Sequence, residues 1–155
     1  MAKHGIHFHV YPSPQNWPGG FEEAFSDYFD LARVYPFIHV HVPVTPEQLV
    51  VEMKNYTAGL YVAGVKLDMD DNHVAYKIEK SQLSFGNKIF DYIDAGLPVI
   101  TAFGGLIRRL LKRYGIGIFA SDALFTNPSS LLEGIHEKKK RVAEARENYS
   151  IKRLV

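Results

Sequence analysis

The sequence predicts an α/β fold in which a parallel sheet carries helices on both faces and winds right-handed. Three observations carry that expectation. Five short β-prone runs alternate strictly with five helical patterns along the 155 residues. Pro and Gly punctuate the changes between them. The length, with 46% hydrophobic residues, suits one domain over residues 1–155 that buries most of its apolar surface.

Residues 6–10 (Ile-His-Phe-His-Val) read as the first strand, stopped by Tyr11-Pro12-Ser13-Pro14. Trp17-Pro18-Gly19-Gly20 prolongs the loop. Phe21, Phe25, Tyr28, Phe29 and Ala32 then recur at helical spacing, which predicts a helix over 21–34. Tyr35-Pro36 ends it, and 37–42 is the second strand. A strong helix start follows, with Thr45 as N-cap, Pro46 in the first position and Gln48 in the capping-box place. That helix runs to about Asn55, before a third strand over 58–62. Residues 65–81 are polar and read as a long loop. A helix over 85–95 stops at Gly96, and 98–101 is a short strand. Gly104-Gly105 opens a helix over 106–114, 117–120 is the fifth strand, and a long basic helix runs from Pro128 to about Tyr149. In such a topology ligands bind outside the carboxyl ends of the strands, here the loops after Val10, Val42, Val62, Thr101 and Ala120.

Composition excludes several classes. There is no cysteine, hence no disulfide framework, thiolate metal site or Cys nucleophile. No apolar run approaches the roughly 20 residues of a membrane helix. The start, Met-Ala-Lys-His, has no signal-peptide pattern, so a cytoplasmic domain is expected. The net charge of +1 hides an asymmetry: residues 1–77 hold 5 Lys/Arg against 9 Asp/Glu (−4), and residues 78–155 hold 13 against 8 (+5). Such a basic half attracts phosphate, nucleic acid or an anionic membrane, although solvated helix faces explain most of these charges. Arg108-Arg109, Lys112-Arg113 and Lys138–Arg141 are not interleaved with stacking aromatics, which disfavours nucleic acid. No Ser/His/Asp triad, Walker loop or Gly-x-Gly-x-x-Gly is present, which disfavours a dehydrogenase.

The most informative stretch runs from Ser84 through Phe85, Gly86, Asn87 and Lys88 to Asp91 and on to Ile100. A helix N-terminus after a long loop offers free N–H groups and partial positive charge to a phosphate. Gly86 permits close approach, Lys88 adds a charge and Asn87 adds amide donors. Asp91 falls on the same face as Asn87, where a carboxylate can accept from ribose hydroxyls. An ordinary amphipathic helix, capped by Ser84 with Ile89, Phe90 and Ile93 in the core, explains the same residues.

Asn-Lys-Ile-Phe-Asp-Tyr-Ile-Asp-Ala-Gly-Leu-Pro-Val-Ile (87–100) resembles a segment of glycosyltransferases with the GT-B fold, in the retaining, nucleotide-sugar-using branch of bacterial polysaccharide synthesis. The 39–49, 56–61 and 115–118 segments resemble its neighbouring elements, so the resemblance covers essentially the whole chain. It implies one Rossmann-like half of a GT-B fold, the donor-binding domain, with the N-terminal acceptor domain absent from this chain. It implies a hexosyltransferase as part of the intact protein and an isolated domain without turnover. The donor is a nucleoside diphosphate sugar. No further cofactor or metal is expected, since the helix dipole and a Lys can serve the diphosphate.

By the same resemblance Asp91 binds the ribose, Val44 and Thr45 hold the base, and Ser84, Phe85, Gly86, Asn87 and Lys88 form the helix start near the diphosphate and sugar. Gly64, after the third strand, passes the same pocket. Catalytic residues remain unassigned. Asp91 stands where members usually carry Glu, and Leu83, eight residues earlier, where many carry another Glu. The loop 11–16 lacks the basic residues common there, leaving Lys66, Lys77, Lys80 or Lys88 to supply charge. Expected partners are the nucleotide sugar, the acceptor domain and a membrane surface, not nucleic acid. The alternative is a non-catalytic Rossmann-like module for protein or membrane-surface association.

Two other constellations bear on metals. Asp68, Asp70, Asn72 and Glu79 are spaced like a calcium loop, but His73 replaces the turn-forming Gly and a strand precedes it, so a solvated acidic loop is expected. His7/His9 and His39/His41 alternate along two strands. If those strands are neighbours, four imidazoles cluster; packing on the sheet is favoured over zinc.

Overall fold

A computed structural model of the chain describes residues 5–13, 17–61, 87–102, 105–119 and 127–149. The elements follow the alternating order expected: β1 (Phe8–Val10), α1 (Phe21–Ala24), α2 (Ser26–Val34), β2 (Ile38–Val40), α3 (Pro46–Met53), β3 (Gly59–Tyr61), α4 (Asn87–Asp94), β4 (Val99–Thr101), α5 (Gly105–Tyr114), β5 (Gly117–Phe119) and α6 (Pro128–Tyr149). All strand pairs are parallel, as helical crossovers require. The strands form two small sheets rather than one. β1 pairs with β2, and β3, β4 and β5 pair in that order. They belong to two compact units, Met1–Glu52 and Met53–Val155.

In the first unit Phe8, His9 and Val10 lie opposite Ile38, His39 and Val40. The single helix expected over 21–34 is broken at Phe25, whose φ of −115° and ψ of 19° leave helical geometry. The Phe25 ring packs edge-on against Trp17 (5.4 Å between centroids) and tilted against Tyr28 (5.8 Å). Ring packing thus sets a break that neither Gly nor Pro announces. Trp17 is held in turn by its indole N–H, which donates to the Ser13 carbonyl at 3.0 Å. Neither α1 nor α2 has a buried residue. α3 begins where the capping box requires. The Gln48 N–H donates to Thr45 Oγ1 (3.3 Å) while the Thr45 N–H donates to Gln48 Oε1 (3.0 Å), a reciprocal closure of two orphan donors.

The second unit has an aliphatic core of Ile89, Ile93, Val99, Ile107, Leu111, Ile116, Val142 and Ala145. β4 is its middle strand and is buried throughout. α4 contributes Ile89 and Ile93, and α5 contributes Ile107 and Leu111, each pair one turn apart. Phe90 instead is exposed, so it is not the core residue an amphipathic reading of α4 makes it. α6 buries Leu131, Ile135, Val142 and Ala145 along one seam and keeps its charges outside.

α4 and α5 end in the same device. Gly96 (φ 78°) and Gly115 (φ 65°) occupy the left-handed region that side chains avoid. The N–H of Gly96 bonds to Ile93 O and that of Leu97 to Tyr92 O; Gly115 bonds to Lys112 O and Ile116 to Leu111 O. Each is a Schellman closure whose next residue, Leu97 or Ile116, is buried as the chain turns into its strand.

Candidate functional site

α4 carries three of the expected site residues. Its first turn holds Asn87 and Lys88, both exposed and with no acidic neighbour in that turn. Asp91 lies one turn on and is half-buried. Helical spacing puts Asn87, Lys88 and Asp91 on adjoining surface, so one positive group, one amide and one carboxylate line the same side of the helix.

Beside them, Tyr92 fixes α4 against β3. Its hydroxyl donates to the Leu60 carbonyl at 3.1 Å, and its ring lies where a side chain on Gly59 would be. A Cβ built on Gly59 would sit 2.2 Å from the Tyr92 ring, so only glycine permits this approach. Burial, then the neighbouring Asp91 charge and Tyr61, pushes the Tyr92 hydroxyl above its ordinary pKa. The register of α4, and so the position of Asp91, depends on a glycine and a tyrosine that the ligand-oriented reading did not single out. The signal available in sequence was Gly59 inside a strand pattern, which marks close approach of another group.

Val44 and Thr45 belong to the first unit. Val44 is half-buried and Thr45 exposed. The backbone groups of Thr45 serve its own helix: the N–H reaches Gln48, and the carbonyl accepts from Leu49 at 2.9 Å. The Glu47 carboxyl is held below its ordinary pKa by a bond with its own backbone N–H and then by the Thr45 hydroxyl. The N-terminus of α3 therefore supplies its own acceptors, whereas α4 brings a cation and an amide to its first turn. Gly64, Ser84, Phe85 and Gly86, together with Lys66, Lys77, Lys80, Leu83 and the calcium-like spacing 68–79, lie outside the described residues.

The histidine pairs do cluster. His7 Nδ1 and His39 Nε2 are 2.8 Å apart, and His9 Nδ1 and His41 Nε2 are 2.9 Å apart. Both pairs have centroids 5.1 Å apart with interplanar angles of 16° and 22°. So short an N···N contact at that separation means the rings meet edge to edge. His9 stacks on His39 at 4.5 Å, and Tyr11 stacks on His41 at 4.3 Å and 1°. Within each pair the two nitrogens face one another, one as N–H donor and the other as acceptor. Among the described residues no group of three or more His, Cys, Asp or Glu could hold a metal.

α5 places Arg108, Arg109, Lys112 and Arg113 on its exposed side. Arg108 lies 4.4 Å and Lys112 5.9 Å from the centroid of the Phe119 ring, and Arg113 lies 5.8 Å from that of Tyr114. Among the described residues no ion pair joins these four to a carboxylate. No described helix is long and apolar enough to cross a membrane. No known family model matches the chain, and comparison with curated proteins and with solved structures finds no match.

Proposed function

We propose that the chain is the donor-binding, Rossmann-like half of a GT-B-type glycosyltransferase, binding a nucleoside diphosphate sugar for transfer to an acceptor held by a separate N-terminal domain. One observation carries this reading: α4 opens with Asn87 and Lys88 in a first turn that has no acid and presents Asp91 one turn later. A helix start of this kind suits a diphosphate, and the following carboxylate suits the ribose diol. The resemblance of 87–100 assigns the same roles to Asn87, Lys88 and Asp91. Strands joined in parallel through helices are the setting in which such sites occur.

Chemically, the chain's part is electrostatic. Lys88 and the first-turn N–H groups of α4 stabilise the diphosphate as negative charge grows on the leaving oxygen. Asp91 orients the nucleoside and takes no proton in the reaction. Calorimetric titration of the chain with UDP, GDP and their sugar conjugates at low salt tests the reading. Saturable binding of one nucleotide, lost in Asp91→Ala, supports it; equal binding by both proteins, or none on the intact protein that includes the acceptor domain, refutes it.

The cationic stripe of α5 favours a second reading, a non-catalytic module that associates with an anionic membrane surface. The two separate cleanly. Vesicle binding lost in an Arg108→Gln/Arg109→Gln variant, without nucleotide binding by either protein, supports the second.

A further inference from the structure

We propose that the imidazole ladder of β1 and β2 is a proton-operated clasp that joins these strands at neutral pH and releases them in acid. The geometry is that of two base-pair-like rungs, His7–His39 and His9–His41, stacked through His9 on His39 and closed by Tyr11 on His41. A contact between two ring nitrogens needs one donor and one acceptor, so each rung holds one proton between its rings. A second proton turns both facing nitrogens into donors and sets two positive rings edge to edge. The side-chain contact between the strands then becomes repulsive and works against their backbone pairing, which includes Phe8 N–H to Phe37 O (2.8 Å) and His41 N–H to Val10 O (2.9 Å).

The surroundings make this contact matter. Among the described residues of the first unit only Pro12 is buried, so these residues form no aliphatic core to hold β1 to β2 if the rungs part. His9 is held below its ordinary pKa by partial desolvation and then by His39, His41 and His7. His41 is lowered by desolvation and His39, and Glu52 of α3 opposes this. α2, which packs against β2, carries Asp27, Asp30 and Arg33 and is followed by Tyr35; Asp30 and Arg33 pair with each other at 2.7 Å. His41 stands at the start of the segment 41–45 that enters α3, so opening the His9–His41 rung would release that segment.

The sign follows from linkage. A histidine whose pKa is lower folded than unfolded favours the folded state when neutral. The contribution of His9 and His41 is full above the ordinary imidazole range and is lost as pH falls through their lowered values.

Imidazole NMR of the 155-residue chain between about pH 8 and pH 5 tests the clasp. The ladder histidines should titrate as coupled pairs, with His9 and His41 taking their protons below the ordinary imidazole range. Amide exchange of 8–10 and 38–41, corrected for intrinsic rate, should rise by about tenfold or more over that range while β4 keeps its protection. A His39→Phe/His41→Phe variant keeps rings in the stack and should lose the pH dependence. Four independent titrations in the ordinary range overturn the proposal, and so does parallel loss of protection in both proteins. If the variant does not fold, the wild-type titration alone decides.

Discussion

In the second unit β4 is buried along its whole length between β3 and β5, and the fully buried side chains of the core are Ile, Val, Leu and Ala, with half-buried Tyr61, Tyr92, Tyr114 and Phe119 packed against them. In the first unit two parallel strands meet through stacked imidazoles, and half-buried aromatic rings do the packing. The difference teaches how much a small unit depends on polar contacts. A stretch of about 50 residues cannot bury the apolar surface that a larger one buries, so its directional contacts carry more of the cohesion. An aliphatic core is indifferent to protons. An imidazole ladder is not.

Mutations can break or sharpen this contrast. Leu111→Ala empties a fully buried site among Ile107, Ile116 and Val142 and should cost about 2–5 kcal/mol in denaturant unfolding, with protection lost around β4 and β5. An effect confined below 1 kcal/mol would deny the second unit its core. Gly59→Ala forces a methyl into the Tyr92 ring and should cost about 1–3 kcal/mol, while also weakening any nucleotide binding that depends on Asp91. Stability unchanged would show that α4 does not rest on β3 as described.

Gly96→Ala meets no atom within 4 Å, so its cost is backbone strain alone, about 1–2 kcal/mol by thermal unfolding. In the first unit Phe29→Ala should lose about 1 kcal/mol, because the half-buried ring has only part of a full transfer energy to give. A loss as large as that of Leu111→Ala would erase the contrast between the units. Thr45→Ala opens the capping box and should cost roughly 0.5–1 kcal/mol, read as faster exchange in the first turn of α3. Restoration by Thr45→Ser would assign the effect to the hydroxyl.

The element order was legible because periodicity and punctuation agree. Thr45-Pro46-Glu47-Gln48 gave the start of α3, and its hydrogen bonds are those the residue types imply. Gly96 marked one helix end through the one residue that accepts a positive φ, and the structure shows Gly115 in the same role. The break at Phe25 was illegible because it follows from where Trp17 sits, a tertiary fact. Phe90 was misread as core because hydrophobicity does not say which side of a short helix meets the sheet. On α4 the sequence supplied Asn87, Lys88 and Asp91, but not Tyr92 locking on Gly59, since that contact spans 33 residues.

The sequence by itself determined what local chemistry determines: the alternation of strand and helix, the caps, the parallel sense of the strands, and the alternation that puts His7 with His9 and His39 with His41 on a strand face. Only the tertiary structure decided which strands pair and in what register. That register sets His9 opposite His39 and turns four histidines into two proton-sharing rungs. The reason is physical: periodicity is a property of one segment, whereas a ring nitrogen finds its partner only when two segments, 32 residues apart here, are brought side by side.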